Sequence, residues 1–285
     1  MKSFRVLDPN LPDRSGNGFC ALAVMTKAPQ AGRVKTRLIS PLTPEEAAEL
    51  NKCFLRDTAA AISSCSRRPV GNANKMQPER DNAPHGEAAT AACGIAVYTP
   101  VGAESAYDDI LPDEFLLLPQ RGDKFGERLC FAIEDLFKCG FESVCLIDSD
   151  SPTVPAENFA RAVELLSTSA NRVVLGPSDD GGYYLIGLKK PHRQLFEQID
   201  WSTERVLNQT IQRAAEIGLE AKLLPAGYDV DDAPSLHPLC NELLADKSGS
   251  RNDVVPKTRA FLKTLRPEVR LRAWPGWQAA SLPPL

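Results

Sequence analysis

The chain has 285 residues, 43% of them hydrophobic and 25% charged, with a net charge of −4. This is ample apolar material for a sizeable core, in one large domain or two small ones. The acidic balance argues against nucleic acid as the main partner, because a phosphate backbone demands a positive face, and no apolar run approaches the length of a membrane span.

Residues 1–18 are polar, contain Pro9, Pro12 and Gly16, lack the apolar stretch of a signal peptide, and read as a flexible leader. Phe19 to Met25 is an apolar run of strand length. A polar loop from Thr26 to Arg37 follows it. Thr43, Pro44 and Glu46 then form a helix start: Thr43 as cap, Pro44 at the first helical position, Glu46 closing a capping box. Ala47, Leu50, Phe54, Ala61 and Ile62 keep one face of that helix apolar. Residues 67–90 have no apolar period and read as a disordered insertion. Gly94 to Thr99 and Glu114 to Leu118 read as strands. Leu129, Ala132, Ile133, Leu136 and Phe137 mark an amphipathic helix. Ser143 to Ile147 is a further strand, followed by a helix opened by Pro155 with Phe159, Ala162, Val163 and Leu166 on one face. Arg172 to Leu175 is a strand that runs into the turn Ser178-Asp179-Asp180-Gly181-Gly182 and out into a second apolar strand. Ser202 reads as the cap of a helix reaching Ile217, where Gly218 stops it. Ala221 to Leu224 is a strand and Ala233 to Leu244 a helix. Residues 247–285 form a basic, Pro-rich extension with a helix over Val254 to Leu265. Trp274 and Trp277 near its end suggest that it packs on the body.

Strands thus alternate with helices, and several strands are apolar throughout. That pattern predicts an α/β protein: a three-layer α/β/α sandwich around a mostly parallel sheet, with residues 19–246 as its main domain. The eight cysteines show no C-x-x-C spacing and lie mostly in apolar segments, so they read as reduced core thiols of a cytoplasmic protein.

In such sheets ligands bind at the carboxyl ends of strands, and four polar clusters fall there. The first runs from Lys27 to Arg37. Gly32 permits a sharp turn, and Arg33, Lys35 and Arg37 can wrap a diphosphate; the loop could equally be a solvated basic surface. Asp148-Ser149-Asp150 can bind a hard divalent ion, or can simply cap a turn before Pro152. Asp229-Val230-Asp231-Asp232 can complete that metal site, or can cap the helix at Ala233. The turn Asp179 to Tyr184 offers carboxylates, close backbone and aromatic rings to a polar acceptor, or is an ordinary hairpin. Gln120 to Arg128 follows a strand and opens a helix; it can touch ligand or serve as a plain loop and cap. No G-x-S-x-G elbow and no G-x-G-x-x-G after a first strand is present, which sets serine hydrolases and dinucleotide oxidoreductases aside.

Five blocks in this order resemble the DUF2064 family, some members of which are described as arsenosugar-biosynthesis-type glycosyltransferases. They are Lys27-Ala28-Pro29 with Gly32 to Leu38, Gln120 to Arg128, Asp150-Ser151-Pro152, Gly176-Pro177 with Asp180 to Tyr184, and Trp201-Ser202-Thr203 with Asp229-Val230-Asp231. Wider kin are molybdenum-cofactor nucleotidylyltransferases and phospholactate guanylyltransferases. The resemblance implies a glycosyltransferase-A fold. It also implies a nucleotide held over Gly32, Arg33, Lys35 and Arg37, and a divalent ion, Mg²⁺ or Mn²⁺, on Asp150 and Asp231, with Asp148 as a further candidate. It places the acceptor at Asp180, Gly181, Gly182, Tyr183 and Trp201. Asp148 and Ser151 stand where the family has Gly and Cys. The implied activity is metal-dependent glycosyl transfer from a nucleotide-diphosphate-sugar to a small hydroxylated acceptor. Asp180 would serve the acceptor hydroxyl, and Arg33 and Lys35 the leaving group. Nucleotidyl transfer from an NTP to a phosphorylated acceptor is the alternative, and a non-catalytic nucleotide-binding module the second one.

Overall fold

The computed structural model describes residues 2, 4–11, 16–39, 42–65, 91–244 and 254–265. The insertion expected at 67–90, and Trp274 and Trp277, lie outside them. The strands are β1 (Arg5–Val6), β2 (Phe19–Lys27), β3 (Ala91–Thr99), β4 (Leu116–Pro119), β5 (Ser143–Ile147), β6 (Arg172–Pro177), β7 (Tyr183–Leu188) and β8 (Glu220–Leu223). The helices are α1 (Pro44–Cys65), α2 (Phe125–Lys138), α3 (Ala156–Ser167), α4 (Val206–Glu216), α5 (Ala233–Leu244) and α6 (Pro256–Thr264).

The strands form one sheet in the order β1-β4-β3-β2-β5-β7-β6-β8. Every pairing is parallel except those of β7, which runs antiparallel to both β5 and β6. The short turn Ser178–Gly182 dictates this exception, because a connection too short for a crossover can only reverse the chain. The central strands are buried on both faces. In β2, Cys20, Leu22 and Val24 point into one core with α1 and α3, and Ala21 and Ala23 point into the other with α2. That two-sided burial explains why these strands read as unbroken apolar runs rather than alternating ones.

The capping box at Thr43 forms as expected. Glu46 N donates to Thr43 Oγ1 at 3.2 Å, and Thr43 N donates to Glu46 Oε2 at 2.9 Å. All eight cysteines are free thiols. Three local readings are corrected. The leader contributes a strand: Arg5–Val6 pairs with Leu116–Leu117, Leu7 is buried, and Lys2 forms an ion pair with Asp113. Two residues of strand are too short a signal to stand out from a polar segment. The strand read from Glu114 begins at Leu116. Ser202 does not cap a helix. It takes φ +64° in a turn where Thr203 Oγ1 donates to Asp200 O at 2.7 Å, and α4 starts only at Val206.

Residues 254–265 of the extension are docked by a contact across the chain. Asp57, buried in α1, accepts Lys257 N at 3.0 Å and Thr258 N at 2.8 Å, capping α6 from outside its own helix. Around it, Leu50 and Phe54 of α1 pack with Leu239 and Leu243 of α5 and Leu262 of α6. Asp57→Ala leaves two amides at a helix start unsatisfied, and is expected to cost about 2 kcal/mol. Urea unfolding would read this as a lower midpoint, and an unshifted midpoint would show that α6 docks by apolar packing alone.

Candidate active site

β2 and β5 are parallel neighbours, with Val24 beside Ile147. From β2 the chain builds outward on both sides, so the loops after these two strands diverge and leave a crevice between them. The basic loop lines one wall of that crevice and the Asp148–Asp150 loop the other. Two backbone ties bring in the segment at Asp231: Val230 N donates to Asp150 O at 2.9 Å, and Asp179 N donates to Gly227 O at 3.1 Å. The resulting cavity, of about 260 Å³, is lined by Lys27, Arg33, Val34, Lys35, Thr36, Arg37, Asn51, Ser149, Asp150 and Asp231.

Lys35 is the centre of this arrangement. Its ammonium lies 2.7 Å from Asp150 Oδ1 and 2.9 Å from Asp231 Oδ1, and donates to Val230 O at 2.8 Å. Its side chain is only 5% exposed, and the Phe54 ring lies 5.6 Å from it. Burial pulls the ammonium's pKa down, but the charges of Asp150 and Asp231 outweigh burial and hold it above its ordinary value. Arg37 reaches the other Asp231 oxygen at 2.5 Å. Burial lifts the Asp231 carboxyl, and the charges of Lys35 and Arg37 bring it below the usual range. Arg33 and Lys27 are exposed and have no ion-pair partner among the described residues.

Asp148 does not join this group. It turns back on its own loop, where Ser151 Oγ donates to Oδ2 at 2.7 Å and Ser151 N to Oδ1 at 3.2 Å. Burial, reinforced by the charge of Asp150, pushes its carboxyl up to about 8. Among the described residues no group of three or more His, Cys, Asp or Glu side chains is arranged to hold a metal ion. Asp150 and Asp231 converge as expected, but on a lysine. The donor set as arranged therefore does not fit a divalent ion, since an ammonium fills the place between its two carboxylates.

The raised pKa of Asp148 carries a pH signature. With its carboxyl pushed up to about 8, the folded chain keeps a proton that the unfolded chain loses near the ordinary value of about 4. Its contribution to stability therefore falls as pH rises from about 4 to about 8 and is flat above. Asp148→Asn is expected to flatten that part of the stability profile, measured as urea midpoints at about pH 5 and about pH 8. Identical slopes in the variant and the parent would show that Asp148 is ionised in the fold.

The turn after β6 is a hairpin with an internal clasp: Asp180 Oδ1 accepts Gly182 N at 2.8 Å. Asp180 is exposed, and together with Asp231 its charge adds to burial in raising the carboxyl of Asp229. The two tyrosines do not form an outer wall. The Tyr183 ring packs into the core shared by α2 and α4, with its hydroxyl buried. Tyr184 faces the opposite core, accepting from Asn158 Nδ2 and donating to Pro225 O, both at 2.9 Å. Consecutive strand residues face opposite sides of a sheet, so a buried sheet sends both rings inward. Trp201 packs edge-on against Phe125 at 5.2 Å between ring centroids, and it covers Gly126 at the start of α2.

The segment from Gln120 serves as scaffold. Arg121 makes a two-pronged contact to the buried Asp135 at 2.6 and 2.9 Å, and Gln120 Nε2 donates to Thr26 O and Val97 O. Sequence reasoning missed Asn51 in the lining, and gave Thr36 and Ser149 no role of their own within the clusters it named. Asn51 did leave a signal: with Asp57 and Thr58 it is one of three polar residues on the mostly apolar buried face of α1.

Residues 87–203 match the family described as "Uncharacterized protein conserved in bacteria (DUF2064)". That range holds the Gln120, Asp150, hairpin and Trp201 blocks, while the basic loop and Asp229–Asp231 lie outside it. No curated protein matches the chain. Among solved structures, a candidate nucleotide-diphospho-sugar transferase from Desulfovibrio desulfuricans G20 is 26% identical with a TM-score of 0.66, covering 87% of this chain and 98% of that one. A 4-diphosphocytidyl-2C-methyl-D-erythritol synthase from Anaerococcus prevotii DSM 20548 is 12% identical with a TM-score of 0.47, covering 81% of this chain and 99% of that one. A mannosyltransferase from Pyrobaculum calidifontis, in complex with GDP-Man and Mn²⁺, is 13% identical with a TM-score of 0.43, covering 92% and 78%. The chain therefore carries the DUF2064 signature over residues 87–203, on the fold of a nucleotide-diphospho-sugar transferase.

Proposed function

We propose that this chain is a glycosyltransferase that moves a sugar from a nucleotide-diphosphate donor to a small hydroxylated acceptor. The charge of the crevice carries this reading. Its lining holds four cations, Lys27, Arg33, Lys35 and Arg37, against two carboxylates, Asp150 and Asp231, in a chain of net charge −4. Lys35 is taken up by the carboxylates and Arg37 is paired with Asp231 at the rim, which leaves Arg33 and Lys27 without an ion-pair partner among the described residues to meet an anion. A fixed cluster of cations beside a departing diphosphate stabilises charge as it develops in the transition state. The resemblance to the Desulfovibrio protein, which spans almost the whole of that chain, supports sugar transfer over nucleotidyl transfer.

In this reading the bond from the anomeric carbon to the diphosphate oxygen breaks, and its electron pair leaves with the nucleoside diphosphate. The acceptor oxygen bonds to that carbon, and its proton passes to the exposed carboxylate of Asp180. In the same reading the acceptor lies on the side of the hairpin at Gly181 and Gly182 and of the Trp201–Phe125 pair, outside the lining of the cavity itself. No helix among the described residues is long and apolar enough to cross a membrane. The free thiols suit a reducing, cytoplasmic compartment.

The test is a panel of nucleotide sugars and free NTPs, each assayed with Mg²⁺, with Mn²⁺ and with EDTA, reading nucleoside diphosphate and pyrophosphate separately. Nucleoside diphosphate release from one nucleotide sugar, weakened in Arg33→Ala, is expected. Pyrophosphate release from an NTP would replace the reading with nucleotidyl transfer. Nucleotide binding without either product would mark a non-catalytic module.

A further inference from the structure

The three hydrogens of the Lys35 ammonium are all used, on Asp150 Oδ1, Asp231 Oδ1 and Val230 O. Two carboxylates and a carbonyl oxygen are a ligand set suited to a hard divalent ion, yet here they enclose a side chain of the protein itself. The enclosure is built at several levels. Lys35 sits in left-handed backbone conformation, φ +47°, which aims its side chain inward from an exposed loop. Phe54 closes the apolar side, and Val230 N ties the two carboxylate-bearing segments together through Asp150 O. Arg37 occupies the remaining oxygen of Asp231. A divalent ion needs these same oxygens at about 2.0–2.6 Å, which leaves no room for the ammonium between them.

The charge balance points the same way. The lining has a surplus of two positive charges, and the diphosphate bridge of a nucleotide sugar carries two negative ones. The balance closes without a divalent ion for the nucleotide sugar, and to within one charge for the free nucleoside diphosphate.

We propose that Lys35 is the resident cation of this site: its ammonium holds Asp150 and Asp231 in the place of a divalent ion, and the chain binds a nucleoside diphosphate without metal. The nucleotide half rests on the donor reading above; the cation half does not.

Two measurements on the full chain separate the halves. The first follows the electron paramagnetic resonance signal of free Mn²⁺ on titration. The parent protein is expected to leave that signal undiminished. Lys35→Met, with its carboxylates released, is expected to bind one Mn²⁺ at least about tenfold more tightly than the parent, and Lys35→Met/Asp150→Asn to lose that gain. One Mn²⁺ bound per parent chain and lost in Asp150→Asn would overturn the proposal, an outcome that needs no folded Lys35 variant. The second is calorimetry with ADP, CDP, GDP and UDP in EDTA and in Mg²⁺ or Mn²⁺. An affinity that changes by less than about twofold on adding metal is expected; binding seen only with metal would overturn the proposal. No binding of any diphosphate in either condition would sink the donor reading, while the Mn²⁺ titration would still decide the cation.

Discussion

Asp150→Ala is expected to destabilise the fold by about 3 kcal/mol and to lower turnover by about 100-fold or more. The reason lies in what it strands. The Lys35 side chain is 5% exposed, so its charge has little water to fall back on. Removing Asp150 leaves it sharing Asp231 with Arg37. Breaking a buried pair from one side is costly because the surviving charge stays buried. Turnover falls as well, because the relaxed lysine no longer fixes the basic loop against the opposite wall. Urea unfolding gives the first quantity and product release the second. The decisive comparison is the double variant Lys35→Met/Asp150→Ala. It should recover part of the loss, with a coupling of about 2 kcal/mol between the two sites. Additive effects would mean that the contact contributes nothing to the fold. The pH dependence has a defined sign. Lys35 titrates above its ordinary value and Asp231 below its own. Their contribution is thus complete across the neutral range. It is lost in acid as Asp231 protonates and in strong base as Lys35 deprotonates.

Gly181→Ala is expected to cost about 3 kcal/mol or more and to disable the proposed acceptor side. Gly181 has φ +86°, and an added Cβ would stand 2.3 Å from Glu204 O and 2.5 Å from Glu204 Cα. These are backbone atoms that cannot step aside as a side chain can. The segment ahead of α4 would have to retreat, breaking the bond from Leu207 N to Gly181 O at 2.9 Å and shifting Asp180. Gly182→Ala is the control. The nearest atoms to its Cβ would be those of the Asp180 carboxylate, at 3.0 Å and beyond, and the cost should stay near or below about 1 kcal/mol. Equal losses in the two variants would show that the hairpin responds to any added side chain and that its contact with Glu204 has no special weight.

What was legible in the sequence is what depends on near neighbours. The apolar runs at Phe19–Met25 and Ser143–Ile147, the capping box at Thr43 and the reversal at Asp179–Gly182 are each set within a few residues, and all formed. The position of polar loops at strand ends was legible too, because chain order in an α/β sheet decides which loops share an edge. What these loops do with their charges was not. The sequence assigned Lys35 to phosphate and Asp150 and Asp231 to a metal. The fold instead joins the lysine to both carboxylates across gaps of 115 and 196 positions. Asp57 likewise caps a helix some 200 positions away. Asp148 and Asp150 lie one residue apart and have opposite fates, one turned back on Ser151 and the other turned to Lys35. Periodicity and capping are read over one or two turns of chain. A charge takes its partner from whatever the folded chain brings within about 4 Å, and only the tertiary structure decides that.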